Sequence, residues 1–405
     1  MRLGERKSPR FEDLDALRAM AMILGIFFHA GLSFVAKDIG WAATDVERSS
    51  LVDPLIWTSH GFRMHLFFLL AGFFARMIRE RRGSWGFVRD RWRRIGRVFV
   101  VGSVTLSPAV MLAWVAGRPS PSQGADSLAS AFIHAWVPAH LWFLAYLLWM
   151  YAIVLFARLG ARAWRYFRGR HGAFAGDRGS TEDVIDRLFA WMTTTSIGTL
   201  ILVAATAMLA MATATTSSVT QSPGVFEGPE RSFLPLPQPF LIYGLFFLAG
   251  WILHRRPELR CIWSRRARMH LVVAGTLAVV SVVVFGDGVG SPWISSPWAD
   301  VLRAAFAWTM TLGLTGAFSA RFKRALWGRP WAERAYLFYL LHLPIVLFLQ
   351  RLLEHSRWPG GGVVKYLVIA GGTLVALEGI YRTSICLRRA SRAVRRLDER
   401  AGAVG

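Results

Sequence analysis

Two ionisable residues lie on the first hydrophobic segment of the chain, in the run LDALRAMAMILGIFFHAGLSF: Arg18 and His29. Eleven steps make almost three helical turns, so a helix carries both side chains on one face, about 16 Å apart along its axis. Ionisable groups inside a membrane helix are costly and usually mark a site. A neutral imidazole can accept a proton from a hydroxyl group near neutral pH. We therefore predict that His29 is a general base below a charged entrance at Arg18, although hydrogen bonding to a neighbouring helix is the simpler alternative.

A second pattern is the arginine-rich run FVRDRWRRIGRVF, since nine arginines lie between residues 76 and 97. Most of them are typical of the cytoplasmic anchors of a membrane helix. Arg91 and Arg94 are three residues apart, so we predict that they share a face near the membrane surface that holds Arg18. Guanidinium groups bind phosphate oxygens in a bidentate manner, which favours a polyphosphate ligand. No Walker A or GxGxxG element is present, which excludes a P-loop nucleotide site.

Further polar side chains fall at membrane depth and together predict a polar core inside an apolar bundle: His60, Arg63, His140, Trp142, His342 and Glu378. Each also has a simpler interpretation. His140 could anchor in an aromatic belt with Trp142, and His342 could satisfy the backbone kink at Pro344. Glu378 is costly to bury, so we expect an Arg or His partner from another helix.

The elements that carry these residues are those of a membrane protein. The 405 residues are 54% hydrophobic and 13% aromatic, yet the formal charge is +23. The basic residues fall between apolar segments of membrane-spanning length, which argues against a soluble nucleic-acid-binding protein. We predict an all-α bundle of ten transmembrane segments, at residues 19–36, 57–75, 98–116, 141–157, 194–214, 239–253, 270–286, 299–318, 335–353 and 363–381.

The charge of the connections sets the predicted orientation. Alternate connections hold 39 of the 48 Lys and Arg residues, so the positive-inside rule predicts that both termini are cytoplasmic. The predicted organisation is a cytoplasmic segment (1–18), a transmembrane domain (19–381) and a basic cytoplasmic tail (382–405). The first segment is expected to remain as a signal anchor. Arg351 and Lys365, near segment ends, are expected to snorkel toward the interface.

Two other patterns bear on packing and on metals. The similar runs LFFLLAGFF (66–74) and LFFLAGWIL (245–253) indicate helices that use a glycine for close packing. Cys261 and Cys386 both fall on predicted cytoplasmic segments, so a structural disulfide is not expected. No CxxC or HExxH spacing is present, and we predict no metal site.

Several runs in order resemble the integral-membrane acyltransferase 3 family from Phe11 to about Arg389: LDALRAMAMILGIFFHAGLSF, HGFRMHLFFLLAGFFARM, RDRWRRIGR, HLWFLAYLL, FLIYGLFFLAGWIL, AYLFYLLHLPIVLFL and LEGIYR. The family has an Arg and a His separated by ten residues in its first helix, and Arg18 and His29 match that spacing, which implies that His29 is essential. Arg91 and Arg94 match an arginine pair linked in the family to cytoplasmic acyl-CoA. Arg97 departs from the pattern, since many members have proline near that position.

The resemblance implies a multi-pass enzyme of the bacterial inner membrane that moves a succinyl or acetyl group from cytoplasmic acyl-CoA to a hydroxyl of a periplasmic glucan or other envelope glycan. His29 would deprotonate the acceptor for direct attack. Arg18, Arg91 and Arg94 would hold the acyl-CoA, and the acceptor or acyl group would contact the remaining candidates: His60, Arg63, His140, Trp142, His342 and Glu378. The HGFRM run with His60 and Arg63 is similar to the subgroup that acts on glucans.

The expected partners are acyl-CoA as co-substrate, the glycan acceptor, membrane lipid and proteins of glucan synthesis, with no bound cofactor and no nucleic acid. Two alternatives stay open from the residues alone. A secondary transporter of a sugar, lipid or anion would also need intramembrane Arg, His and Glu, but the chain lacks inverted repeats and paired acids. A non-catalytic scaffold of a glycan-synthesis complex would tolerate substitution of Arg18 and His29.

Overall fold

The computed structural model describes residues 11–116, 138–170, 179–214, 233–285, 296–322 and 328–401, and within these ranges every regular element is a helix. This agrees with the predicted all-α fold. The helices are α1 (Glu12–Gly31), α2 (Asp53–Arg91), a π-helical turn (Trp92–Gly96), α3 (Arg97–Ala116), a 3₁₀ turn (Ala139–Leu141), α4 (Trp142–Arg170), α5 (Gly179–Thr194), α6 (Ser196–Ala214), α7 (Pro237–Arg255), α8 (Glu258–Phe285), α9 (Pro297–Arg321), α10 (Gly328–Leu353) and α11 (Gly361–Ala401).

Seven of the described helices are long and apolar enough to cross a membrane, or eight if the bent pair α5–α6 forms one span. The chain therefore has the features of a multi-pass membrane protein. Each of the ten predicted segments overlaps a helix, but two of them (57–75 and 98–116) fall within one helical run of 62 residues, Asp53–Trp114. α7 is not among the seven helices, and α6 meets α5 at an angle of 104°.

The long run Asp53–Trp114 reverses its direction. Gly83 breaks the helical backbone, with φ of 68° and ψ of −178°, a conformation that glycine adopts at little cost. At the start of the run, Ile56 packs in the same apolar cluster as Trp41, which lies in the α1–α2 connection. At its end, Trp114 contacts Trp41 with ring centroids 4.8 Å apart. Both ends of the run therefore lie at one end of the bundle.

α1 is the central helix, because it packs against α2, α9, α10 and α11. We call the two ends of the molecule the Arg18 end and the His29 end, after the candidate residue that lies nearer to each end of α1. α10 runs parallel to α1, since Arg18 hydrogen-bonds to the carbonyl of Ala332 while the carbonyl of His29 is bound by Gln350. α2 runs antiparallel to α1, from His60 near Phe28 to Phe74 near Arg18.

The predicted glycine packing is confirmed, and the two glycines belong to one contact between α2 and α7. A Cβ atom added to Gly72 would lie 1.9 Å from the carbonyl oxygen of Phe247, and one added to Gly250 would lie 1.7 Å from that of Leu69. Only glycine allows the two backbones to approach this closely. The contact fixes the helix that carries His60 and Arg63.

The expectation that Arg351 and Lys365 snorkel to the interface is wrong. Lys365 is fully buried and binds Asp45 in the α1–α2 connection, with both Nζ–O distances at 2.8 Å. Arg351 donates to Glu354 at 3.0 Å and to the carbonyl of Ala42. Both cations find hydrogen-bonding partners within the protein, which removes the reason to extend toward water. They tie the α1–α2 connection to α10 and α11 at the His29 end.

Candidate functional site

The structure brings five of the predicted residues together at the His29 end, in what we call the polar cluster: His29, His60, Arg63, His140 and His342. The imidazole centroids of His29 and His342 are 5.1 Å apart, and those of His140 and His342 are 5.8 Å apart. Phe28 joins the cluster to α2, because it stacks on His60 at 5.3 Å and lies 4.2 Å below the guanidinium carbon of Arg63. The predicted polar core is thus present for these five residues, supplied by α1, α2, the 3₁₀ turn and α10.

Pro344 explains how His140 reaches the cluster. Proline has no N–H group, so the carbonyl four residues earlier, that of Leu340, has no helical donor. Nε2 of His140 lies 3.0 Å from this carbonyl oxygen and donates to it. The hydroxyl of Tyr339 donates to the carbonyl of His140 at 2.7 Å. Our alternative expectation that His342 satisfies the kink is therefore wrong, because His140 fills that role from another element.

The backbone just before His140 is strained. Ala139 has φ of 44°, the left-handed region that non-glycine residues rarely enter. Strained residues of this kind persist where surrounding contacts hold them, and they are frequent at functional sites. Here the two hydrogen bonds to α10 hold the 3₁₀ turn against that strain.

The hydrogen bonds also assign the protons of two histidines. A carbonyl oxygen only accepts, so the ring nitrogen facing it must carry the proton. His140 is therefore protonated at Nε2, and Nδ1 carries the lone pair. His342 donates from Nδ1 to the carbonyls of Phe338 and Tyr339, at 3.0 and 2.8 Å, so its lone pair is on Nε2. Both imidazoles can accept a further hydrogen bond within the cluster.

The inward-facing nitrogen atoms of the cluster are largely unsatisfied. Nδ1 of His29 and of His140, Nε2 of His342 and Nη1 of Arg63 are all enclosed, and none has a hydrogen-bond partner in the described part of the chain. Buried polar atoms usually have partners, so a group of unsatisfied ones in a native structure calls for an explanation. Binding of a polar ligand supplies one.

Arg63 is the permanent cation of the cluster. Its residue exposure is only 5%, and within the described ranges no carboxylate lies at ion-pair distance from it. Its Cδ and Nε atoms would lie 3.9 Å from a Cβ atom at Gly25, so it packs directly on α1. A buried charge without a counter-charge is costly, and an anionic group of a substrate would relieve that cost.

Gln350 and Trp41 are components of the site that the sequence analysis missed. Nε2 of Gln350 donates to the carbonyls of His29 and Ala30, at 2.9 and 3.0 Å, and so satisfies the C-terminal end of α1. Its Oε1 accepts from the indole of Trp41 at 3.0 Å, and the indole stacks on His29 with centroids 5.7 Å apart. The signal available in the sequence was the amide side chain of Gln350 within a hydrophobic segment.

The Arg18 end holds the predicted phosphate-binding residues. Nη2 of Arg18 donates to the carbonyl of Ala332 at 3.1 Å, and its guanidinium pairs with Asp15 at 3.1 Å. One turn further along α10, the hydroxyl of Tyr336 donates to the carbonyl of Arg94 at 2.5 Å. The first turns of α10 therefore contact both Arg18 and the arginine-rich run.

Asp90, which the sequence analysis did not single out, organises the arginine-rich run. Its buried carboxylate pairs with Arg82 at 3.0 Å, Arg91 at 2.5 Å and Arg94 at 3.2 Å. A cavity of about 480 Å³ adjoins it, lined by Arg82, Gly86, Arg89, Asp90, Arg93 and Arg94. Four guanidinium groups around one carboxylate leave a net positive cavity, which is suited to an anion.

Arg91 and Arg94 bind the same carboxylate but differ in their surroundings. The side chain of Arg91 is 13% exposed and lies over Tyr151, whereas that of Arg94 is 70% exposed and lines the cavity. The π-helical turn begins directly after Arg91, and its wider winding changes which residues share a face. The two arginines are linked through Asp90.

Trp142 and Glu378 lie outside the polar cluster. Trp142 packs among aromatic side chains, stacked on Tyr243 at 5.7 Å. Glu378 accepts from Arg334 at 2.6 and 3.1 Å, which confirms the predicted partner from another helix. Because Arg334 is two residues from Ala332, Glu378 belongs to the Arg18 end. Among the described residues, no group of three or more His, Cys, Asp or Glu side chains is placed to hold a metal ion.

Comparison with known proteins agrees with this arrangement. Residues 11–377 match the Acyl_transf_3 family model, which is described as an acyltransferase domain. Similar curated proteins are named glucans biosynthesis protein C. The protein of Escherichia coli SMS-3-5 is 25% identical over 346 residues, and that of strain K12 is 25% identical over 340 residues. Each alignment covers 83% of this chain and 82% of the relative. No solved structure matches the chain.

A family match over nearly the whole chain favours an enzyme over the transporter and scaffold alternatives. The site is consistent with that assignment, since it combines a partly buried histidine, paired with a second imidazole, at one end of α1 with an arginine-lined cavity at the other. The chain belongs to the acyltransferase 3 family and is an acyltransferase.

Proposed function

We propose that this acyltransferase lies in the bacterial inner membrane and moves an acyl group from cytoplasmic acyl-CoA to a hydroxyl of a periplasmic glucan or other envelope glycan. The acyl group is succinyl or acetyl. The observation that carries the proposal is the polar cluster, in which His29 lies beside His342, His342 contacts His140, and Arg63 is buried nearby over Phe28. The name of the relatives, glucans biosynthesis protein C, supports a glucan acceptor.

The proposed topology has ten crossings with both termini in the cytoplasm. It is supported by the alternating charge of the connections and by the directions of the helices. α1 and α10 start at the Arg18 end, whereas α2 starts at the His29 end. α11 also starts at the His29 end, where Lys365 binds Asp45. The Arg18 end carries the basic connections, so it faces the cytoplasm.

The proposed donor site is at the Arg18 end. Arg18, Arg91 and Arg94 bind the phosphates of acyl-CoA, and the arginine-lined cavity adds Arg82, Arg89 and Arg93 to them. Support comes from the contact of Arg18 and Arg94 with neighbouring turns of α10. About 16 Å of helix separates Arg18 from His29. The extended pantetheine arm bridges that distance and brings the thioester into the bundle.

The proposed reaction is a direct transfer with His29 as the base. His29 takes the proton of the acceptor hydroxyl while the oxygen attacks the thioester carbonyl. The carbon–sulfur bond then breaks, and His29 returns the proton to the CoA thiolate. Both free cysteines, Cys261 and Cys386, are exposed and lie on helices other than those of the polar cluster, which favours direct attack over a cysteine-linked intermediate.

His60 and Arg63 are proposed to orient the substrates at the His29 end. Arg63 lacks a carboxylate partner in the described part of the chain, which makes it the natural partner of an acyl carboxylate or a transition-state oxyanion. Among the two acyl groups named above, this favours succinyl. His60 lies on the same helix, one turn away, and contacts the acceptor.

The decisive experiment is mass spectrometry of periplasmic and envelope glycans from cells lacking the gene, complemented with wild type, His29→Ala or His270→Ala. His270 is a buried histidine on α8, outside the polar cluster. We expect a defined acyl mass with wild type and His270→Ala and its loss with His29→Ala at equal membrane abundance. A glycan pool unchanged by the deletion would refute the glycan acceptor, and an active His29→Ala variant would refute the base.

A further inference from the structure

We propose that His342 is a positioning residue for His29, in which Nε2 of His342 accepts the Nδ1–H of His29. His342 thereby takes the place that a carboxylate fills in a Ser-His-Asp triad. The proposal rests on the proposed function of His29 as the base. It differs from a role of His342 in binding acceptor or acyl group, because His342 acts through His29 alone.

The two rings are close enough for a hydrogen bond that the free enzyme does not yet form. A nitrogen atom lies about 1.2 Å from the centre of an imidazole ring, so a direct N–H···N bond of about 2.9 Å places the centroids about 5.3 Å apart. The observed separation is 5.1 Å, with the planes tilted by 46°. Hydrogen bonds of catalytic groups are often poorly aligned in the free enzyme and tighten when substrate binds.

The protonation of His342 makes it an acceptor toward His29. Its Nδ1 is committed to the carbonyls of Phe338 and Tyr339, so Nε2 carries the lone pair. This Nε2 is enclosed, as is Nδ1 of His29, and neither atom has a partner among the described residues. A single hydrogen bond between them satisfies both atoms and leaves Nε2 of His29 as the basic nitrogen.

His342 is the group around His29 that is best placed for this role. Arg63 and His60 contact the neighbouring Phe28 from α2, His140 contacts His342 from the 3₁₀ turn, and Trp41 stacks on His29 from the α1–α2 connection. An arginine and an indole only donate hydrogen bonds. The ring of His140 contacts His342 rather than His29, at 5.8 Å. Of the ring contacts that His29 makes, the one with His342 is the only one to another imidazole within the described ranges.

The proton balance is simple. Nε2 of His29 takes the proton from the acceptor hydroxyl, and His29 becomes an imidazolium. The other proton of this imidazolium, on Nδ1, is shared with His342. The pair holds the positive charge while the oxygen–carbonyl bond forms and the carbon–sulfur bond breaks. His29 then gives the Nε2 proton to the thiolate and returns to its starting form. His342 neither gains nor loses a proton over the cycle.

The test uses the purified full-length protein in lipid nanodiscs, with succinyl-CoA and a periplasmic glucan preparation, and measures CoA release. We compare His342→Leu, which removes the acceptor, with His342→Gln, whose Oε1 can accept in place of Nε2. We expect kcat of His342→Leu to fall about 10- to 100-fold, with KM for succinyl-CoA unchanged. His342→Gln should recover a large part of kcat, and His270→Leu should resemble wild type.

The outcomes separate this inference from the proposed function. Glucan-dependent CoA release by wild type and its loss in His29→Ala establish the function independently of His342. Given that, wild-type kcat in His342→Leu, no recovery in His342→Gln, or an effect on KM alone would each refute the positioning role. A wild-type protein that releases no CoA would refute the proposed function itself.

Discussion

Arg63 places a permanent positive charge inside an apolar helix bundle. It is buried at the His29 end, lies over Phe28 and has no carboxylate partner within the described ranges. By contrast, Arg334 is bound to Glu378 and Arg260 to Asp13 at the Arg18 end. An uncompensated buried cation lowers stability, so its retention is explained best by a bound anion. In the proposed reaction, the charge of the acyl group determines how strongly Arg63 binds the acyl donor.

Substitution of Arg63 should therefore discriminate between acyl donors. Hydrogen bonds to charged groups contribute about 1.5–3 kcal/mol, so we expect Arg63→Met to raise KM for succinyl-CoA about 10- to 100-fold. KM for acetyl-CoA should change much less. Arg63→Lys keeps the charge but loses the bidentate geometry, and it should fall between the two. Equal increases for both donors in a CoA-release assay would contradict a carboxylate partner.

At the scale of residues, sequence reasoning found the ionisable groups but not their partners. His29, His60, Arg63, His140 and His342 were identified because ionisable side chains in hydrophobic segments are rare. The hydrogen bond from His140 to the carbonyl freed by Pro344 joins residues 200 positions apart, and no local pattern encodes it. Asp90 was missed because two acids among nine arginines resemble ordinary charge balance, although its carboxylate holds three of the arginines.

Among the elements, the contact between α2 and α7 does most to place the site. α2 carries His60 and Arg63, and its backbone touches that of α7 at Gly72 and Gly250. Hydropathy located the helices and the repeated glycine motif predicted close packing. It could not show that the two helices pack against each other, because helix pairing depends on the whole bundle. The reversal between segments 57–75 and 98–116 was predicted, but hydropathy did not show that the connection is helical and breaks only at Gly83.

A methyl group at this contact should destabilise the protein. In Gly250→Ala the new Cβ would lie 1.7 Å from the carbonyl oxygen of Leu69, so the helices must separate. Overpacking of this kind costs about 1–3 kcal/mol, and we expect a lower thermal midpoint in detergent. Gly244→Ala on the same helix is the matched control, because nothing lies within 4 Å of its Cβ. Similar midpoints for the two variants would contradict the close contact.

At the scale of the whole molecule, different ion pairs hold the helices together at the two ends. At the His29 end, Lys365 and Arg351 fasten the α1–α2 connection over the polar cluster. At the Arg18 end, Asp13 joins α1 to Arg260 on α8 and Ser319 on α9. A transfer between acyl-CoA on one side and a glycan on the other requires these ends to face different compartments. The native cysteines make that requirement measurable.

Cys261 and Cys386 are exposed; the first follows Arg260, and the second follows the Glu378–Arg382 pair, so both belong to the Arg18 end. Ser50 is exposed in the α1–α2 connection at the opposite end. A membrane-impermeant maleimide is added to cells with a permeabilised outer membrane. It should label Ser50→Cys in a variant without the native cysteines, and it should leave both native cysteines of the wild type unmodified. Disruption of the inner membrane should then expose the native pair. Labelling of Cys386 before the inner membrane is disrupted would place the C-terminus outside the cytoplasm. Labelling of Cys261 and of Ser50→Cys from the same side would contradict the arrangement in which His29 lies between a cytoplasmic donor and a periplasmic acceptor.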